Sequence, residues 1–366
     1  MRIKKVIISI FITIGVIATA SVYAYFKGKP VNVEINKKVE DLPQDISDII
    51  YHASLAPNSH NTQLWKVSIN KKKNTLKINL DTDRTLKQVD SNNREAYISM
   101  GAFTANLLQS FKAYGYETKV ILNTDSSEPV TVSYIKTEKF TKDETILDLI
   151  KKRHTDKSTY LDKEINNDDI KTILNNNTHY FKRGDNEFKY LKTAEIEAMT
   201  KQSYNKAKSE EFAEWLRFSD KEAEDKKDGL PAEQLGLKGI KKTLYYLTTS
   251  NKSAKGISFA KQSIDTTTKQ VENCAGFLVI TGGTSRKELI ETGINLENIW
   301  LSAVKKGISV HPMSQILEEK PYSSEVDKML HTKSPVQMIL RVGYVKDYGT
   351  NNQIRRNLLD YVTVEK

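Results

Sequence analysis

Six polar side chains follow a proline in Leu55-Ala56-Pro57-Asn58-Ser59-His60-Asn61-Thr62-Gln63-Leu64-Trp65 and lead into a strand that begins at Trp65. A loop pinned by Pro57 and Trp65 can present backbone N–H groups, amides and hydroxyls to a polar ligand. A well-capped helix-to-strand turn would use the same residues. In Arg153-His154-Thr155-Asp156-Lys157 two cations stand four apart with a hydroxyl between them. That spacing suits a phosphate at a helix start, and it also suits a solvated surface. A third cationic stretch, Gln353-Ile354-Arg355-Arg356, lies near the C-terminus. The six histidines are not at metal-ligand spacing and no CxxC is present, which argues against zinc. The single cysteine, Cys274, rules out an intramolecular disulfide. Its apolar surroundings read as a buried strand in which it is a small packed residue.

These segments need elements to position them, and the chain holds a repeat that suggests which. Ile98–Leu108 through Gly115 can be laid without a gap on Ile290–Trp300 through Gly307, an offset of 192. Gly101, Asn106 and Gly115 meet Gly293, Asn298 and Gly307 in register, with apolar residues between. Each copy reads as a helix with an apolar stripe at spacings of three and four and a glycine at its C-terminal cap. Pro129-Val130 and Pro335-Val336 each follow a copy. The period is too long for a solenoid unit of about 20–50 residues. Two related half-domains in one chain are the natural reading, with a site between them.

The composition is that of an ordinary globular protein, 38% hydrophobic and 28% charged, and does not suggest disorder. The net charge of +10 comes from scattered lysines with no nucleic-acid-binding signature. It describes a solvated basic surface, or weak attraction to anionic lipid or phosphate. At the N-terminus Arg2, Lys4 and Lys5 precede an apolar run from Val6 to Tyr25, long enough to cross a bilayer. Val22-Tyr23-Ala24 also fits a signal-peptidase site, so residues 1–25 are either a signal peptide or a membrane anchor. A basic N-terminus usually stays inside, which places the body outside the cytoplasm, although Lys27, Lys29, Lys37 and Lys38 nearly balance that charge.

Residues 26–40 read as a linker, 41–140 as the first half and 141–366 as the second. Helices are expected at 45–56, 94–114, 145–152, within 162–175 and at 296–306. Strands are expected at 66–69, 76–80, 119–122, 130–134, 277–281 and 336–344. A helical insertion at about 194–268 has no counterpart in the first half and suggests a lid. The mixture of helices and strands without strict alternation argues for an α+β fold.

Together these segments resemble the nitroreductase family of flavin-dependent oxidoreductases, and more closely its internally duplicated Acg-like branch. The branch's Leu-Ala-Pro-Ser-x-His-Asn-Thr-Gln-Pro-Trp loop corresponds to Leu55–Trp65, with Asn58 for Ser and Leu64 for Pro. Asp81/Arg84, Asp90/Arg94-Glu95, Gly101-Ala102, Trp215-Leu216-Arg217 and Asp228-Gly229-Leu230-Pro231 follow in the branch's order. The resemblance covers roughly residues 45–360. It implies a nitroreductase-like pseudo-dimer within one chain, holding one FMN. Arg153, Thr155 and Lys157 would hold its phosphate and ribityl chain. Pro57, Asn58, Ser59, Asn61 and Gln63 would line the ring and ribityl side, with Arg355 or Arg356 adding a phosphate contact. Lys157 replaces the family's usual Arg, so a fork becomes a point charge. The first half has no Arg motif. At offset 192 the polar loop meets Leu247–Lys252, where its Pro, His and Trp are gone, so each half retains what the other lacks.

The flavin would carry the hydride chemistry, with no catalytic side chain required; His60 is expected to serve loop hydrogen bonding. The implied activity is reduction of nitro, quinone or similar acceptors with NAD(P)H or another electron donor. The alternatives are a flavin-sequestering protein with a blocked site and a membrane-tethered scaffold. An extracytoplasmic body would have to find a donor other than cytoplasmic NAD(P)H.

Overall fold

The computed structural model describes residues 28–123, 128–349 and 354–365. The N-terminal segment expected at 1–25 lies outside the described residues. Among the described residues no helix is long and apolar enough to cross a membrane.

The first half runs α1 (Gln44–Ser54), β1 (Trp65–Asn70), β2 (Thr75–Leu80), α2 (Arg94–Ala113), β3 (Tyr116–Leu122), β4 (Val130–Lys136). After α3 (Glu144–Lys152) the second half repeats the order: α4 (Asn167–Ile173), β5 (Thr178–Lys182), an insertion, β6 (Gly276–Thr281), α11 (Arg286–Lys305), β7 (Ile308–Pro312), β8 (Val336–Tyr344). The two sheets share one topology. Taking each half's own four strands, the first is ordered β3-β4-β2-β1 and the second β7-β8-β6-β5, so the third strand of each half lies at one end of its run and the first at the other. All these pairings are antiparallel. A last strand, β9 (Val362–Val364), crosses back from the second half and pairs parallel to β1.

The insertion takes the place that the tight Lys71–Asn74 turn has in the first half. It comprises α5 (Asn186–Tyr204), α6 (Lys206–Trp215), α7 (Asp220–Lys226), α8 (Ile240–Thr248), α9 (Asn251–Ala254) and α10 (Ile257–Glu272). It is thus wider than the expected 194–268. Two short helices, α12 (Gln315–Glu318) and α13 (Tyr322–Met329), join β7 to β8. Only Asn167–Ile173 of the expected 162–175 region is helical, opened by Asn166, whose side chain accepts from Asp168 N. The second repeated helix begins ten residues before the expected 296, at a Ser285/Glu288 capping box.

The repeated helices α2 and α11 cross at their repeated glycines. A Cβ on Gly101 would stand 2.0 Å from the Ile290 carbonyl oxygen, and one on Gly293 would stand 1.9 Å from that of Ile98. The two backbones therefore meet with no room for a methyl group. The contact is reciprocal, as a pseudo-two-fold axis requires. Each helix also lends a side chain to the other core: Ile290 and Leu301 join the first, Ile98 the second. Both copies end at a left-handed glycine, Gly115 (φ +78°) and Gly307 (φ +67°), as the cap spacing predicts. Cys274 is fully buried as expected, and burial pushes its thiol up to about 11.

One alignment needs correcting. Leu247–Lys252 does not correspond to the polar loop, because those residues lie in α8 and α9 of the insertion. The segment between helix and first strand in the second half is Leu174-Asn175-Asn176-Asn177, and it is only four residues long. The constant offset fails there because the insertion falls between the two regions.

Candidate functional site

The polar loop leaves α1 and closes on β1. His60, Asn61 and Gln63 all have φ near +50°, a costly region for residues with side chains. The surroundings hold them there. Asn58 Oδ1 accepts from Gln63 N at 2.8 Å. Gln63 Oε1 accepts from Arg356 N at 2.8 Å, and Arg356 Nη2 donates to the carbonyls of Gln63 and Trp65 at 2.6 and 3.2 Å. Ser59 Oγ donates to Glu95, the residue that follows Arg94 at the start of α2.

Arg355 does the same for the front of the loop. Its Nε donates to Ser54 O, Nη1 to Asn61 Oδ1 (3.1 Å) and Ile354 O (2.8 Å), and Nη2 to Leu55 O (3.0 Å) and Ala56 O (3.3 Å). A guanidinium has five N–H donors, and all are used on the protein. Arg153 converges on the same carbonyl, donating from Nη2 to Leu55 O. Its Nε stands 3.1 Å from Glu297 Oε1 of α11, an ion pair by distance although out of line for a hydrogen bond. Its guanidinium lies 4.8 Å from the centre of the Trp300 ring. The structure thus brings Asn61 and Arg153 together through Arg355 and Leu55. It turns these arginines towards main-chain carbonyls and a buried carboxylate.

Lys157 is different. Among the described residues its ammonium has no hydrogen-bond or ion-pair partner. Burial, with Arg341 nearby, lowers its pKa to about 8. His60 faces it from the first half. Burial, then Lys157, lowers the His60 imidazole to about 4, so it is neutral at pH 7. Among the described residues its buried Nδ1 has no partner. The ring packs on Phe212, centroids 5.1 Å apart. His60 therefore does not make the loop hydrogen bond expected of it. His311 of β7 completes this side; Arg341 donates to its Nδ1 at 3.0 Å. Thr155, between Arg153 and Lys157, makes no hydrogen bond among the described residues. This side of the site thus joins one cation without a partner among the described residues to one orphaned ring nitrogen, and it draws on both halves.

The insertion closes over both walls. Asn61 Nδ2 donates to Gly229 O at 3.1 Å, Gly229 N to Asn61 O at 3.2 Å, and Gln63 Nε2 to Lys227 O at 2.9 Å. Asp228 is gripped by Arg217 and by Arg84, and Arg84 also donates to Thr62 O. The Trp-Leu-Arg and Asp-Gly-Leu-Pro stretches therefore form one clasp, tied by a Leu216–Leu230 bridge. On the other wall Gln270 Nε2 donates to Lys157 O at 3.0 Å, and Gly236 lies against the Lys157 side chain. Sequence reasoning did not single out Arg341, Glu297 or Phe212. Only the fold brings them to the site, and no local motif marks them.

Comparison with known proteins agrees with this architecture. A family profile described as "Nitroreductase family" matches residues 150–344, more than half of the chain, and one described as "Putative TM nitroreductase" matches residues 3–104. The chain belongs to the nitroreductase family. Similar solved structures include the FMN-dependent nitroreductase NfnB from Mycobacterium smegmatis in complex with NADPH. It is 14% identical, the match covers 60% of this chain and 96% of that one, and the TM-score is 0.37. A nitroreductase-like family protein from Bacillus cereus is 13% identical, with 62% and 100% covered and a TM-score of 0.33. No curated protein matches the chain.

Proposed function

We propose that this protein is an FMN-binding oxidoreductase of nitroreductase type, reducing nitro, quinone or similar acceptors with NAD(P)H or another donor. Family membership sets the class. The observation that carries the reading is the side of the site where Lys157 of one half meets His60 of the other. The orphaned, buried ring nitrogen of His60 costs free energy unless a ligand partners it, and the half-buried Lys157 ammonium beside it supplies charge for one. An anionic molecule rich in acceptors, as FMN is, fits that deficit.

In this reading Lys157 and Thr155 hold the cofactor, while Pro57, Asn58 and Ser59 shape the wall opposite. Arg153, Arg355 and Arg356 keep the loop in its strained conformation and do not contact phosphate. When bound, the flavin supplies the hydride chemistry. The chain's residues bind and orient it and exclude water, and no side-chain acid or base is assigned.

A second reading, flavin sequestration with little turnover, is favoured by the clasp across both walls. Purified protein separates the two. A yellow preparation bleached by NADPH or dithionite and recoloured by a nitroaromatic supports the enzyme. Yellow protein that bleaches with dithionite but not with any acceptor cycle supports sequestration. Colourless protein that cannot be loaded with FMN ends both.

The lysine gives a quantitative check. Lys157→Met is expected to weaken FMN binding by about 1.5–3 kcal/mol, the range for a charged hydrogen bond. Because the free lysine titrates at about 8, wild-type affinity should fall as pH rises above that value, when the ammonium loses its proton. The Met variant should show no such fall. Fluorescence titration of FMN between pH 6 and pH 9.5 reads both.

A further inference from the structure

The insertion carries a second unusual surface, remote in kind from the cationic wall. Helix α8 is amphipathic in the inverted sense. It turns Lys242 and Tyr245 inward and exposes Ile240, Leu244 and Leu247, by 67%, 53% and 66%. Those three are at i, i+4 and i+7, a single stripe. The enclosed Lys242 ammonium is paired with Asp220 at 2.7 Å and with Glu233. A helix on a water-facing surface ordinarily does the opposite.

The charge along the stretch of chain that carries the stripe is one-sided. From Gln234 to Ile264 the sequence contains Lys238, Lys241, Lys242, Lys252, Lys255 and Lys261 and no Asp or Glu. All of these lysines but Lys242 are exposed. An apolar stripe on a stretch of chain with exposed lysines and no carboxylate is the pattern of a helix lying in an anionic membrane interface.

Chain connectivity points to the same place. Gly239 N donates to Gly28 O at 3.2 Å, Lys242 Nζ to Lys29 O at 2.5 Å, and Val31 N to Glu233 Oε1 at 2.8 Å. The chain therefore enters the described body beside the N-terminal end of α8. The apolar run Val6–Tyr25 stops three residues before Gly28, and three residues span at most about 11 Å. A bilayer holding that run has α8 at its surface.

We propose that α8 lies in the headgroup region of an anionic bilayer, with Ile240, Leu244 and Leu247 against the acyl chains and the surrounding lysines at lipid phosphates. Gly236, which lies on Lys157, is four residues upstream of Ile240, so a bilayer that holds α8 also holds the wall over Lys157. The proposal does not depend on what the site binds and fails independently of the flavin reading.

The test uses the full chain with Leu247→Cys, labelled with an environment-sensitive dye and reconstituted into phosphatidylcholine vesicles with or without phosphatidylglycerol. The natural Cys274 is buried and stays unlabelled. Expected are a blue shift and quenching by brominated acyl chains that require phosphatidylglycerol, while the same dye at Ile135→Cys, an exposed site on β4, remains aqueous. Three results would overturn the proposal. One is aqueous emission at position 247 in every vesicle. Another is an equal shift in pure phosphatidylcholine. The third is a shift in lipid-free detergent that grows with protein concentration, which would assign the stripe to a second copy of the chain.

Discussion

Gly293→Ala is expected to destabilise the protein by about 3 kcal/mol or more. Overpacking a core usually costs about 1–3 kcal/mol, because neighbouring side chains yield. Here the obstacle is the Ile98 carbonyl oxygen, 1.9 Å from the new methyl group, and a helix backbone cannot swing aside. The gain in helix propensity from Gly to Ala, about 1 kcal/mol, is too small to compensate. Gly101→Ala should behave alike, since its methyl would meet Ile290 O at 2.0 Å. The control is Gly307→Ala. Nothing lies within 4 Å of its added methyl, so only the left-handed φ of +67° is penalised, about 1–2 kcal/mol. Urea unfolding of the three variants checks the ranking. If Gly293→Ala unfolds with the wild type, the two helices do not cross at these residues. A variant that folds with its helices forced apart should also bind flavin poorly in the proposed reading, because Lys157 and His60 come from different halves.

Arg153→Ala should also be severe, and for a reason other than ligand binding. Arg153 and Glu297 are 3% and 0% exposed at their side chains, and removing the arginine strands a carboxylate in the interior. Breaking such a pair from one side typically costs about 3–5 kcal/mol. Even with Arg153 present, burial pushes the Glu297 carboxyl up to about 7. A folded-state pKa above the unfolded value means that the folded protein holds this proton more tightly. The group's contribution is therefore most favourable at low pH and is lost as pH rises towards and through 7. The Arg153→Ala deficit should accordingly be largest at pH 8 and smaller at pH 6. Adding Glu297→Gln should recover part of it, since an amide is cheaper to bury than a carboxylate. Denaturant titrations at the two pH values read these effects. Wild-type stability in Arg153→Ala combined with weakened FMN binding would instead make this arginine a phosphate ligand.

The parts of the fold legible in sequence were those with local causes. Gly101 and Gly293 stood out because a close helix crossing tolerates nothing larger, and that demand leaves a fixed spacing in both copies. The hairpin β1–β2 and the strands β6 and β8 announce themselves by alternation or by unbroken apolar runs. The insertion was legible as helix-rich but not by its place. That it replaces a hairpin turn depends on β5 pairing with β6 across about ninety intervening residues, and no local pattern encodes such a pairing. The failed match of Leu247–Lys252 has the same origin. The polar loop and the Arg153–Lys157 stretch stood out by residue type and spacing, and the fold brings the two segments together. Their division of labour was not readable, because whether a guanidinium meets a ligand or a carbonyl is decided by Ser54, Leu55 and Glu297, which only the folded chain brings within reach.

The returning strand β9 has a consequence for biosynthesis. Residues 354–356 brace the polar loop, and Val362–Val364 give β1 its outer neighbour. All of them follow the loop and strand they complete by nearly three hundred residues. During translation the N-terminal sheet must wait with an open edge, a hazard for misassociation, and the loop must wait unsupported. Maturation of the N-terminal half therefore waits for synthesis of the second half.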